Sequence, residues 1–213
     1  MKILTVIRHG KANTGATDAE TYDRLAPLGF EQAALMGAYI RETGKYKKVR
    51  SGDLRRHIET VEGADFGLPH KVDPRLNELP YFDLGAAICE RHGLAFPSDD
   101  TGFQHFFRLM MEDWDAISQE RGILSRADAL GGILDVLKEA DEDEILLSSG
   151  GVIGLLGAHA LDLDHAATAR FVMPIAHTSI HRFGLKDGQL YLIKYCSIPH
   201  LDQSGQSHLV TMA

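Results

Sequence analysis

The sequence predicts an α/β fold: a three-layer sandwich in which a mostly parallel, mixed sheet carries helices on both faces, with a small helical cap inserted. Three observations predict it. Short, β-branched apolar runs such as 2–8 and 144–148 have the length of buried strands. Segments of helical period separate them, which makes the strands parallel neighbours joined by crossovers. Near the end, Lys186-Asp187-Gly188 lies between two apolar stretches and reads as a hairpin turn that adds antiparallel edges.

Taken in order, Lys2 to Arg8 is a short buried strand. Gly29 to Thr43 places Ala33, Leu35, Met36, Tyr39 and Ile40 at helical spacing, and Gly44 is a natural C-terminal stop. Lys47 to Ser51 reads as a second strand. Leu54 to Phe66 follows as a helix, broken by Gly67-Leu68-Pro69. From Pro80 to Gly122 the pattern is less regular and holds most of the aromatics, including Trp114 and the trio Phe103, Phe106 and Phe107. This stretch, about 80–122, is the expected helical cap, inserted into a single domain spanning 1–213. Arg126 to Ala140 is an amphipathic helix despite the weakening pair Gly131-Gly132. Glu144 to Ser148 is a third strand, and Val152 to Leu161 a buried helix rich in Leu, Gly and Ala. Thr178 to Leu185 and Gln189 to Tyr195 form the arms of the hairpin.

With 213 residues the chain can bury a substantial core. Its net charge of -8 disfavours nucleic acid, because no broad basic surface is available to neutralise phosphates. A local basic pocket in such an acidic chain selects small anions instead. Cys89 and Cys196 are far apart and fit neither a disulfide framework nor a zinc pattern, which points to a reducing compartment. The opening residues are too short for a signal peptide, and no apolar stretch approaches a membrane span. The expectation is a soluble, cytoplasmic protein with no membrane or nucleic-acid partner.

In such sheets the ligand crevice lies at the carboxyl ends of the strands. Arg8-His9-Gly10, Ser51 and Ser148-Ser149-Gly150 all fall there. Arg grips two phosphate oxygens through its planar fork. Neutral His attacks phosphorus or coordinates a metal, and Gly lets the backbone turn and approach an anion. Convergence of the three strand ends favours this reading over a surface strand end that happens to carry Arg and His. At Ser51 to Thr60 a strand gives way to a helix, and an Arg in the first helical turn shares an anion with the free N–H groups. The alternative there is a solvated face with pairs such as Arg55–Glu59. Arg75 to Pro80 supplies an acidic residue, Glu78, just before the cap. In Ser148-Ser149-Gly150-Gly151 the backbone amides form an anion nest. A serine-nucleophile reading of that turn lacks the G-x-S-x-G frame.

These pieces together resemble the histidine phosphatase (phosphoglycerate mutase-like) superfamily, from the first strand to Pro199-His200-Leu201. Asp23 to Gly29 with Gln32-Ala33 resembles the family's D-x-L-T-x-x-G-x-x-Q-A stretch, and Ser51 to Arg56 resembles its S-S-D-L-K-R-A run. The resemblance implies that His9 is a nucleophile forming a phosphohistidine, and that Glu78 is the general acid and later the base. It also implies that Arg8 and Arg56 bind phosphate, and the reading of the Ser-Ser-Gly-Gly turn adds Ser149 and Gly150 to that set. The alignment favours Arg56 over Arg55. No metal or other cofactor is implied, because arginines supply the positive charge. The implied partner is a small phosphorylated metabolite or phosphate itself.

The chain departs from the family at one catalytic position. The family's S-H-G-G sequence, which carries a second histidine, is here Ser148-Ser149-Gly150-Gly151. A neutral hydroxyl is a weaker donor than a charged imidazole, and loss of one preorganised donor typically costs about 10²–10³ in rate. Among the 11 histidines, His177 is the accessory candidate, with a partly exposed loop histidine as its plain alternative. His57 follows Arg56 directly, and adjacent helix residues point in different directions. The reading is a phosphoric monoester hydrolase of reduced activity acting through His9. Its alternative is a catalytically silent family member that binds phosphorylated ligands or a protein partner. Phosphoglycerate mutase activity ranks behind both, since a mutase must shield its phosphoryl group from water.

Overall fold

The computed structural model describes residues 1–13, 19–43, 45–97, 99–202 and 205–212, without the side chains of residues 19, 20 and 100. The first half runs β1 (Lys2–Arg8), α1 (Ala19–Tyr22), α2 (Pro27–Thr43), β2 (Lys48–Ser51), α3 (Arg55–Ala64) and β3 (His70–Val72). A 3-10 turn at Pro74–Leu76 leads to α4 (Tyr81–His92), α5 (Asp100–Arg121), α6 (Arg126–Glu139) and β4 (Glu144–Ser148). The chain continues as α7 (Gly150–Leu161), α8 (His165–Val172), β5 (Ile180–Lys186) and β6 (Gln189–Ser197).

The six strands form one mixed sheet in the order β3-β2-β4-β1-β5-β6. Strands β1 to β4 are parallel, while β5 and β6 add the antiparallel edge. Successive strand side chains point to opposite faces, and this alternation builds two cores. Leu4, Val6 and Leu146 pack with residues of α4 to α8, while Ile7, Val49, Ile145 and Leu147 pack with Ala33, Met36 and Ile40 of α2 and Ala64 of α3. Helices thus cover both faces, as expected. Trp114 of α5 is fully buried and donates its indole N–H to the Leu124 carbonyl at 2.7 Å. Truncating such a ring costs about 3–5 kcal/mol.

Several elements differ from the sequence reading. β3 is a three-residue edge strand that the Gly-Leu-Pro breaker conceals, and α8 is absent from the reading although Asp164 caps it by accepting from Ala167 N. α3 stops at Ala64, where Asp65 takes the left-handed conformation with φ 44°. β5 begins only at Ile180, because Thr178 also lies in the left-handed region with φ 58°. The expected stop at Gly44 lies outside the described residues. The aromatic-rich stretch from 80 to 122 contains α4 and α5, each ended by a left-handed glycine, Gly93 and Gly122. No helix among the described residues is long and apolar enough to cross a membrane.

What the sheet does for the site is set by register. Arg8 pairs with Ser148 and Ser51 with Leu147, so the carboxyl ends of β1, β2 and β4 lie side by side.

Candidate active site

His9 follows the last residue of β1 and is 1% exposed. Its backbone N–H donates to the Ser148 carbonyl at 2.9 Å, and its own carbonyl accepts from Thr178 N, which fixes the ring over the strand ends. Nδ1 lies 2.7 Å from the Gly10 carbonyl. A carbonyl only accepts, so the proton sits on Nδ1 and Nε2 keeps its lone pair. That lone pair receives the Nε–H of Arg56 at 3.2 Å. Burial, followed by the nearby Arg56, holds the imidazole well below its usual pKa. The ring is therefore neutral and nucleophilic in form. Gly10 has a steric reason besides the one expected: a Cβ there would lie 2.5 Å from the Gly29 carbonyl oxygen, so it admits the start of α2.

Arg8, beside it, is buried; one guanidinium nitrogen donates to the Ile175 carbonyl while its Nε has no partner among the described residues. Gly150 lies against this guanidinium, with its absent Cβ position 3.3 Å from Nε.

Arg56 is the second residue of α3, a helix whose N-cap, Leu54, offers no side-chain hydrogen bond. The free amides of such a helix start must find partners elsewhere. Asp23 supplies them, accepting from Arg55 N at 2.9 Å and Arg56 N at 3.3 Å, and it also pairs with the Arg56 guanidinium at 2.8 Å. The guanidinium lies over the Tyr22 ring, 5.4 Å from its centroid. Arg55 instead faces outward and pairs with Glu59. Of the two arginines, Arg56 is the one beside His9.

Glu78 is carried by the segment after the 3-10 turn. Asp73 and Arg75 pair at 2.7 Å there, and the Arg75 guanidinium holds the Asp73 carboxyl down to about 2. Ser148 Oγ donates to the Leu76 carbonyl at 2.6 Å, tying this segment to the end of β4. The Glu78 carboxylate then rests on Gly151, where a Cβ would come within 2.4 Å of Oε1. The Gly-Gly turn thus has a steric purpose, making room for Arg8 on one side and Glu78 on the other.

Ser149 stands at the N-cap of α7 yet does not cap it. Its hydroxyl faces His57 Nε2 at 2.7 Å, and both residues are fully buried. The His57 ring lies 5.4 Å from that of His9, centroid to centroid. Arg56 and His57 diverge around the helix, but both occur in its first turn and His9 lies near that end, so both reach its surroundings. His57 and Asp23 are the residues that site reasoning from sequence missed; Asp23 had a signal in its family-like run. His177 is not an exposed loop residue: it is buried, 5.8 Å from His9 between centroids, with Nδ1 bonded to Thr211.

A cavity of about 470 Å³ adjoins this cluster; His9, His57 and Ser149 lie behind its described lining, while Gly150, next to Ser149, is part of it. Arg8, Arg56 and Glu78 line its base, and Tyr22, Tyr81, Phe82, Phe103 and Phe107 form much of its wall. Among the described lining residues Arg8 and Arg56 are the only cations, whereas Asp23, Glu78 and Asp83 are acidic.

Comparison with known proteins gives the family and agrees with the fold. The family model described as histidine phosphatase superfamily (branch 1) matches residues 4–197. No curated protein sequence matches the chain. Among solved structures, a His-to-Ala variant of phosphoserine phosphatase from Entamoeba histolytica with phosphoserine is similar at TM-score 0.67 and 20% identity, covering 94% of this chain and 100% of that one. A mycobacterial glucosyl-3-phosphoglycerate phosphatase in complex with VO3 is similar at TM-score 0.65 and 22% identity, covering 92% and 100%.

Proposed function

The chain belongs to branch 1 of the histidine phosphatase superfamily, and from that membership we propose that it hydrolyses phosphoric monoesters through a phosphohistidine on His9. The observation that carries the proposal is the tautomer of His9: Nδ1–H is committed to Gly10, which leaves Nε2 as the attacking atom. A phosphate draws the Arg56 guanidinium off Nε2 onto its own oxygens, with Arg8 gripping from the other side. Nε2 then bonds to phosphorus as the ester P–O bond breaks, and protonated Glu78 gives its proton to the departing oxygen. In the second step water attacks phosphorus, its proton passes to the Glu78 carboxylate, and the P–N bond breaks to release phosphate and neutral His9.

Residues 1–213 act as one domain in this reading, with α4 and α5 as the cap over the cavity. The substrate is a small phosphate ester. The similar proteins named above are phosphatases of phosphoserine and glucosyl-3-phosphoglycerate. Here the aromatic wall and acidic rim favour a leaving group that is apolar and carries no negative charge. Cys89 and Cys196 are free thiols, which supports a reducing, cytoplasmic setting.

The test is hydrolysis of p-nitrophenyl phosphate, with acid-stable detection of the protein adduct replaced by base-stable, acid-labile phosphohistidine detection. Turnover that disappears in His9→Ala supports the reading. A second reading, a phospholigand-binding protein without turnover, is favoured by Ser149 standing where the resemblance leads one to expect histidine. Absence of turnover across pH 4–9 in a protein that still binds phosphate would establish it instead.

A further inference from the structure

His57 and Ser149 are the buried polar pair that the mechanism above leaves unused. Both are fully buried, and a buried hydroxyl or imidazole is costly unless bonded. Each is bonded to the other at 2.7 Å. Among the described residues Ser149 Oγ has no second partner, and His57 Nδ1 has none at all. Burial, with Arg56 adding to it, keeps this ring neutral, so it carries one proton.

Where that proton sits decides what the serine can do. On Nδ1 it would be an orphaned buried donor, and Ser149 would have to spend its own proton on Nε2. On Nε2 it donates to Ser149 Oγ, and the Nδ1 lone pair and the Ser149 O–H then both lack a partner among the described residues. An unpaired buried donor is costly, so this tautomer needs an acceptor for the hydroxyl. A phosphoryl oxygen supplies one, and its binding selects the Nε2–H tautomer, in which the Ser149 O–H donates to it. The position of that hydroxyl is defined by its neighbours. Ser148, the preceding residue, accepts the His9 amide, and Gly150, the following one, abuts the Arg8 guanidinium.

The fit of His57 depends on one further residue. A Cβ at Gly52 would lie 2.4 Å from His57 Nδ1. Measured against the S-S-D-L-K-R-A and S-H-G-G runs, positions 52, 55, 57 and 149 differ; three of them adjoin in series, Gly52 against His57 and His57 against Ser149. An imidazole is lost from the strand end and one is gained across from it on α3.

We propose that His57 and Ser149 act as one unit at the phosphoryl site: the Ser149 hydroxyl donates to a phosphoryl oxygen, and His57 is a positioning residue that holds and polarises it. The proposal rests on the phosphatase reading, and its test separates the two. Ser149→Ala and His57→Ala should each lower kcat on p-nitrophenyl phosphate by about 10²-fold. The double alanine variant should lose no more than the worse single variant, as groups acting as a unit do. His57→Ala with Ser149→His, which moves the imidazole back, should exceed both single variants. A merely structural role predicts losses that follow thermal stability and no recovery in the swapped variant. If His57→Ala does not fold, Ser149→Ala carries the test, since it removes only a hydroxyl. Unchanged kcat in Ser149→Ala, or multiplicative losses in the double variant, overturns the pair while leaving His9-dependent turnover intact. If the wild-type protein has no turnover, the phosphatase reading fails and the pair is judged on orthovanadate affinity. Equal, non-additive weakening in the variants then supports the pair, and unchanged or undetectable binding overturns it.

Discussion

His9 Nε2 and Arg56 Nε stand 3.2 Å apart, so the lone pair that would attack phosphorus is already engaged by the guanidinium that would receive the phosphate. Removing Arg56 therefore loses an anion grip while baring the nucleophile, and the first effect dominates because a preorganised donor is worth about 10²–10³ in rate. Arg56→Ala should lower kcat/KM on p-nitrophenyl phosphate by that factor. Arg55→Ala should stay within about twofold, since its exposed pair with Glu59 is weak. Equal losses in the two variants would contradict the assignment of Arg56.

Glu78 rests against Gly151 at the base of the cavity, where a departing oxygen would need a proton. Glu78→Gln keeps the shape and removes the proton transfer, whose typical contribution is about 10²–10⁴. The loss in kcat/KM, which reports only the first step, should be large for phenyl phosphate, whose phenolate is a poor leaving group, and small for p-nitrophenyl phosphate. Steady-state kcat/KM across a series of substituted phenyl phosphates measures this as a steeper dependence on leaving-group pKa. A parallel dependence in wild type and variant would remove Glu78 as the acid.

The cavity should choose among esters by charge. An aromatic leaving group meets Tyr22, Tyr81 and Phe103, whereas a carboxylate-bearing one meets Asp23 and Asp83 with no spare cation among the described lining residues. Phenyl phosphate should exceed phosphoserine and 3-phosphoglycerate in kcat/KM by about tenfold or more, a difference of about 1.4 kcal/mol. Phosphoserine as the better substrate would refute it.

Acid should unfold the protein from an unusually high pH. Burial lowers the pKa of His9, His57 and His177 well below the ordinary value and brings His200 to about 4 and His181 to about 3. The unfolded chain takes protons on these rings near pH 6.5 while the folded chain refuses them, so stability falls as pH drops from about 6.5 and is unaffected by them above about 7.5. Asp73, held at about 2, adds a loss in the same direction below about pH 4. Melting temperatures followed by circular dichroism should be level from pH 8 to 7.5 and fall continuously below 6.5. A constant melting temperature down to pH 5 would exclude this.

The fold was legible where periodicity and length were unambiguous. β1 and β4 match the sequence reading residue for residue, because an apolar run flanked by charge or serine has few other places to go. β3 was not legible: three exposed residues carry no alternation, and only pairing with β2 makes them a strand. α8 offered Asp164 as a cap, but its Ala-rich eight residues lack a long apolar stripe. In the site, His9, Arg56 and Glu78 come together because strand ends and a helix start converge. His57 was hidden by reasoning around the helix circumference, when the relevant direction is along its axis at the first turn.

Gly52 makes one atom's worth of space serve two neighbours. A Cβ at this position would come within 2.4 Å of both the His57 Nδ1 and the Asn77 Oδ1, so a larger residue at 52 must displace both. Displacing the imidazole would strand Ser149 without its partner, and a survey of related chains should find histidine at the equivalent of 57 only alongside glycine at the equivalent of 52.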